Sequence, residues 1–137
     1  MFDDCIYFNL VTLTRRVSKT WQEEFERLGL SPSHGYLLFA IAENPKASQK
    51  ELGELMELEA STITRFVDAL AVKGLVEKKS RGKGAVIAMT PEGRKTYRDV
   101  KDAMDRLYRS MAEHFGNKRF RDFVGDLRQA RESFTEN

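Results

Sequence analysis

Apolar residues recur every three or four positions along most of the chain, the period of helices that bury one face. Ile6, Leu10, Leu13, Val17, Trp21, Phe25 and Leu28 form one continuous stripe, predicting a long helix from about Asp3 to Leu28 with Gly29 as its stop. Asp3 and Asp4 are expected to favour its N-terminus through the helix dipole. Ser31-Pro32 opens a second helix that Asn44-Pro45 ends, with Ser31 as N-cap and Pro32 at the first helical position. Ser48 followed by Glu51 reads as a capping box for a third helix through Met56. A short break near Leu58 precedes a fourth, about Ala60 to Lys73, which Gly74 stops.

The pattern then changes. Leu75 to Ser80 and Ala85 to Met89 flank Arg81-Gly82-Lys83-Gly84 and read as a β-hairpin. Thr90-Pro91 caps a long fifth helix to about Phe115, with Tyr97, Val100, Met104, Leu107, Met111 and Phe115 at near-heptad spacing. Beyond Gly116-Asn117 a sixth helix carries Phe120, Phe123, Val124, Leu127, Ala130 and Phe134. The expected fold is mainly α with a small β-hairpin wing: a winged helix-turn-helix of about residues 31–90, flanked by long terminal helices at about 3–29 and 91–137. Those terminal stripes offer more apolar helix surface than one small globule covers, so the expectation is a single domain that dimerises through its ends.

Composition narrows the chemistry. The chain has 137 residues, 41% hydrophobic and 32% charged, which fits one globular domain and excludes a disordered chain. No apolar run is long enough for a membrane span, and the acidic N-terminus makes a poor signal peptide, so a cytoplasmic protein is expected. The single cysteine, Cys5, excludes an intramolecular disulfide framework and is expected to be a small buried hydrophobe. His34 and His114 lie far apart and argue against a histidine-built metal or catalytic site; neither cofactor nor metal is expected. No paired carboxylates, nucleophile–base pair or phosphate loop is visible, so an enzyme is not expected.

Net charge is only +2, but its distribution is uneven. Between Lys73 and Lys83 five cations face one carboxylate, while Glu51 to Glu59 carries four acids and no base. Lys78, Lys79, Arg81 and Lys83 around the hairpin turn are candidates for phosphate contact, alongside the ordinary use of charge to protect strand edges. Ser61, Thr62, Thr64 and Arg65 open the fourth helix as candidates for phosphate or base contact, with Arg65 the residue suited to a bidentate bond to guanine. The bland alternative is that Ser61 and Thr62 only cap the helix. Ser48, Gln49 and Lys50 open the third helix and are candidates for phosphate contact, although the capping box alone accounts for Ser48 and Glu51. Trp21, His34 and Tyr36 are candidates for a small-molecule effector site, against the simpler reading that they pack the core.

The residues from LSPSHGYLLFAIAENP through QKELGEL, STITRFVDAL and KGLVE to AMTPEGRK resemble the MarR family of transcriptional regulators, and the resemblance covers nearly the whole chain. It implies a homodimer on a palindromic double-stranded DNA operator, the fourth helix in the major groove, the wing at the adjacent minor groove, and release by a small aromatic or anionic effector. The wing departs from the pattern: it lacks the family's Asp-x-Arg pair, leaving Arg81 and Lys83 as its cations. Peroxide-sensing relatives carry their cysteine where this chain has Tyr7, so oxidative sensing is not expected. The rival from another class is a winged helix that binds protein instead of DNA, with the acidic Glu51–Glu59 stretch as its support.

Overall fold

The computed structural model describes residues 1–80 and 84–134. In chain order the elements are α1 (Ile6–Glu26), α2 (Pro32–Glu43), α3 (Gln49–Leu55), α4 (Ala60–Val72), β1 (Val76–Lys78), β2 (Ile87–Met89), α5 (Pro91–Phe115) and α6 (Asn117–Ser133). The chain forms two compact units, Met1–Ala103 and Met104–Asn137.

In the first unit, local chemistry sets most boundaries. Ser31 accepts from His34 N at 3.2 Å with Pro32 at the first helical position. Ser48 and Glu51 close their capping box reciprocally, at 3.1 and 3.3 Å. Gly29 and Gly74 take φ of 70° and 76°, the left-handed region that glycine enters without a Cβ penalty. Each closes a Schellman turn, in which Leu30 N bonds to Phe25 O and Leu75 N to Leu70 O. Both pairs of side chains are buried, as the apolar residues flanking such a turn commonly are.

Phe25, Leu37, Leu38, Ile41, Leu52, Ile63, Val67, Leu70 and Val76 form the core beneath the helix-turn-helix. Gly35 of α2 lies against the Phe25 ring so closely that a Cβ there would overlap it. Tyr97 of α5 donates to Glu43 Oε1 at 2.7 Å and packs against Phe39, tying the start of α5 to the end of α2. The hairpin is antiparallel, with Val76 opposite Met89 and Lys78 opposite Ile87. Its paired region is shorter than the sequence predicts, and Arg81 and Lys83 lie outside the described residues. A further bridge joins Ser48 to Val86, so the entry to α3 pairs with the returning strand.

Two expectations for α1 are corrected. The helix starts at Ile6, because Cys5 takes the N-cap with Sγ accepting from Phe8 N at 3.5 Å, and Asp3 and Asp4 fall in the turn before it. Cys5 is therefore exposed rather than buried. The α1 stripe is also graded: Phe25 is buried, Leu13, Val17 and Trp21 are half-buried, and Ile6 and Leu10 are exposed.

In the second unit, the end of α5 and α6 meet around aromatic rings. Tyr108 and Phe115 lie 5.1 and 6.3 Å from the Phe120 ring, and Phe123 lies 6.1 Å from Phe115. No residue of α6 is fully buried.

Candidate nucleic-acid interface

The α3–α4 pair is a helix-turn-helix whose inner side is fixed by Leu52, Ile63, Val67 and Leu70 in the core. The turn between the helices passes through Glu57 at φ 54°, a left-handed residue of the kind a sharp reversal needs. The N-cap of α4 is Glu59, with no side-chain cap bond, so Ser61 and Thr62 do not cap the helix. Ser61 and Arg65 are exposed and one helical turn apart; Thr62 is half-buried, and its Oγ1 accepts from Arg65 Nη2 at 3.5 Å. The outer side of α4 therefore presents two hydroxyls and one guanidinium together. Lys50, exposed on the first turn of α3, lines the same groove of about 620 Å³ as Gln49, Ser61, Thr64, Arg65 and Lys78.

Other candidates are engaged within the protein. Gln49 is buried, which corrects its assignment to a phosphate contact. Its Nε2 donates to Thr64 Oγ1 at 2.8 Å, and Thr64 Oγ1 in turn donates to Ala60 O at 2.9 Å. The Thr64 hydroxyl proton is thus held by its own helix. Gln49 Oε1 has no hydrogen-bond partner among the described residues, and leaving a buried acceptor unpaired costs about 1–3 kcal/mol. Ser48 uses its hydroxyl in the capping box. Lys78 forms an ion pair with Asp68 of α4 at 2.6 Å, bracing the wing strand against α4 instead of standing free for phosphate. Lys79 pairs with Glu77 at 3.3 Å and remains well exposed.

The effector candidates do not share one wall. Trp21 Nε1 donates to Tyr36 OH at 3.0 Å, and Tyr36 stacks on Phe25. His34, two residues earlier on α2, faces elsewhere, edge-on to Phe66 with ring centroids 4.7 Å apart. Burial there and the nearby Lys73 ammonium hold the imidazole below its ordinary pKa. A cavity of about 350 Å³ beside Trp21 is lined by Val17, Ser18, Gln22, Ser31, Pro32 and Ser33, not by His34 or Tyr36.

Sequence reasoning missed Asp68, ten positions from its partner Lys78, and the inward turn of Gln49. A glutamine next to an N-cap reads as solvent-facing unless the packing of α4 above it is known.

Residues 28–85, which include α2, α3, α4 and β1, match the model of the MarR family. Across 103 residues, 74% of this chain and 75% of the relative, it is 24% identical to the HTH-type transcriptional regulator YwoH of Bacillus subtilis (strain 168). In fold it is similar to a MarR-family regulator from Rhodococcus sp. RHA1, with 25% identity, a TM-score of 0.78, and 97% and 95% of the two chains covered. It is also similar to the transcriptional repressor CouR bound to a 23-mer DNA duplex, with 18% identity, a TM-score of 0.88, and 95% and 94% covered. CouR bound to p-coumaroyl-CoA gives the same TM-score at 19% identity, covering 97% and 96%. This chain has the helix-turn-helix and the hairpin, and it braces its wing strand through Lys78 and Asp68.

Proposed function

We propose that this protein is a homodimeric transcriptional repressor that reads a palindromic DNA operator with α4. The observation that carries the reading is the outer side of α4, where Ser61, Thr62 and Arg65 stand together on a helix whose inner side is locked in the core. In this reading Arg65 contacts base edges, and Lys50 and Lys79 hold phosphates. The wing residues Arg81 and Lys83 join them as phosphate contacts. Residues 31–90 form the DNA-binding lobe, and the segments at about 3–29 and 91–137 join the two copies. Release by a small aromatic or anionic effector is part of the proposal, supported by the p-coumaroyl-CoA that CouR binds. The protein-interaction alternative loses support, because Glu51 of the acidic stretch is engaged in the capping box.

The test begins with selection of duplexes from a randomised pool by the full-length protein. Enriched sites should be two-fold symmetric, with half-sites about 10–10.5 base pairs apart. Arg65→Ala should cost roughly 1–3 kcal/mol on the selected site and relax base preference there. Lys50→Ala should weaken selected and scrambled duplexes alike, with the salt slope lowered by about 0.9 per protomer. Failure to enrich any duplex would reject DNA reading.

A further inference from the structure

We propose that Gln49 is a positioning residue for sequence discrimination: it fixes the recognition helix relative to the wing without touching DNA itself. The inference rests on the DNA reading proposed above.

Three DNA-facing elements converge on this one residue. Its backbone N–H donates to Ala85 O at 2.8 Å, next to the Ser48–Val86 bridge, which joins α3 to the returning strand of the wing. Its side chain donates to Thr64 Oγ1 at 2.8 Å, which joins α3 to α4. Thr64 directly precedes Arg65 and lies one turn after Ser61.

The amide does not serve packing alone. Thr64 already gives its proton to Ala60 O, so Gln49 can only donate to that hydroxyl. Turning the amide over would strand its NH₂ group instead of its carbonyl. In the orientation observed, Oε1 stays buried and unpaired among the described residues. A leucine would fill similar space with no unpaired group, so the amide is better explained by the bond it makes to α4 than by the core it occupies.

Base readout is the function that such a strut would affect most. Hydrogen bonds weaken steeply with distance and angle, and a bidentate guanidinium–guanine pair needs both bonds aligned. Phosphate contacts from long lysines tolerate small displacements and carry no sequence information. Loosening α4 at Thr64 should therefore blunt discrimination before it weakens general DNA affinity.

Full-length Gln49→Leu, Thr64→Val, Thr64→Ser and the Leu/Val double variant would be titrated on a duplex selected by the wild type and on its scrambled counterpart. Gln49→Leu and Thr64→Val should each lower the selected-to-scrambled affinity ratio by about tenfold, and the double variant by no more than either alone. Thr64→Ser, which keeps the hydroxyl, should retain the ratio. The salt slope should hardly move, and the thermal midpoint should not fall. Unchanged ratios, additive losses in the double variant, a Thr64→Ser as impaired as Thr64→Val, or a ratio that falls only in step with the midpoint would each overturn the proposal. If Gln49→Leu does not fold, the Val and Ser variants at position 64 decide the matter. If the wild type enriches no duplex, DNA reading fails and this proposal with it; enrichment with unaffected variants rejects the strut alone.

Discussion

At the scale of single residues, His34 links packing to pH. Its ring sits edge-on to Phe66 between α2 and α4, with Lys73 nearby. Desolvation and that ammonium both disfavour the imidazolium, so the folded-state pKa lies below the ordinary 6.5. The unfolded chain therefore takes up a proton first as pH falls. Stability from the neutral ring is fully present above about pH 6.5 and is lost as pH falls from there towards the lower folded-state pKa. The wild-type melting temperature should accordingly drop between pH 7 and pH 5.5 by more than that of His34→Leu, as calorimetry in matched buffers would measure. Parallel curves would show that another group sets the slope. The pH sensitivity is not visible in the sequence, where His34 is only the third residue of a capped helix; it arises from Phe66 and Lys73, contributed by the region of α4 and its C-terminus.

At the scale of elements, the junction between the wing and α5 is held by backbone. Thr90 Oγ1 donates to Gly74 O at 2.6 Å and accepts from Gly93 N at 2.9 Å, while Thr90 N bonds to Leu75 O at 3.1 Å. Gly93 approaches Leu75 so closely that a Cβ would overlap its carbonyl oxygen. Because the obstacle is backbone rather than a flexible side-chain tip, relief requires α5 to move away from the Gly74 turn. Gly93→Ala should therefore lower unfolding stability by about 1–3 kcal/mol, measured by urea denaturation; a change below 0.5 kcal/mol would show that the junction yields easily. Elements of this kind mark how far the sequence can be read. The caps at Ser31 and Ser48 and the stops at Gly29 and Gly74 are legible, because each acts within a few residues through a side chain or a backbone conformation specific to its type. Apolar spacing likewise locates all six helices. The Lys78–Asp68 pair, the Gln49–Thr64 bond and the Ser48–Val86 bridge depend on which elements meet, and no local pattern marks them. At the N-terminus the signals compete: Asp3, Asp4 and Cys5 all precede an apolar stripe, and the cap falls on Cys5.

At the scale of the molecule, apolar surface remains uncovered in a single chain. Ile6 and Tyr7 on α1 are 77% and 74% exposed, and Val124, Leu127 and Phe134 near the other end of the chain are also exposed. Scattered apolar side chains are normal on a surface, but a run at helical spacing on α1, matched by a helix with no fully buried residue, has the character of an interface. In the function proposed above two copies associate through these faces, and DNA binding would gain from it, because a linked pair of half-site readers engages the second half-site at a high effective concentration. Sedimentation should show the full-length chain as a dimer. Substituting Ile6 and Leu10 together by Asp places charges in the proposed contact and should give a folded monomer, since neither side chain belongs to the core of its own chain. Removing residues 116–137 takes away α6 and should give a monomer or an insoluble product. The folded Ile6→Asp, Leu10→Asp protein should lose roughly 10²-fold or more in affinity for a two-half-site duplex while binding a single half-site as the wild type does. A well-folded dimer in either variant would place the association elsewhere. A monomer with undiminished affinity for the full site would show that the two readers do not depend on being joined.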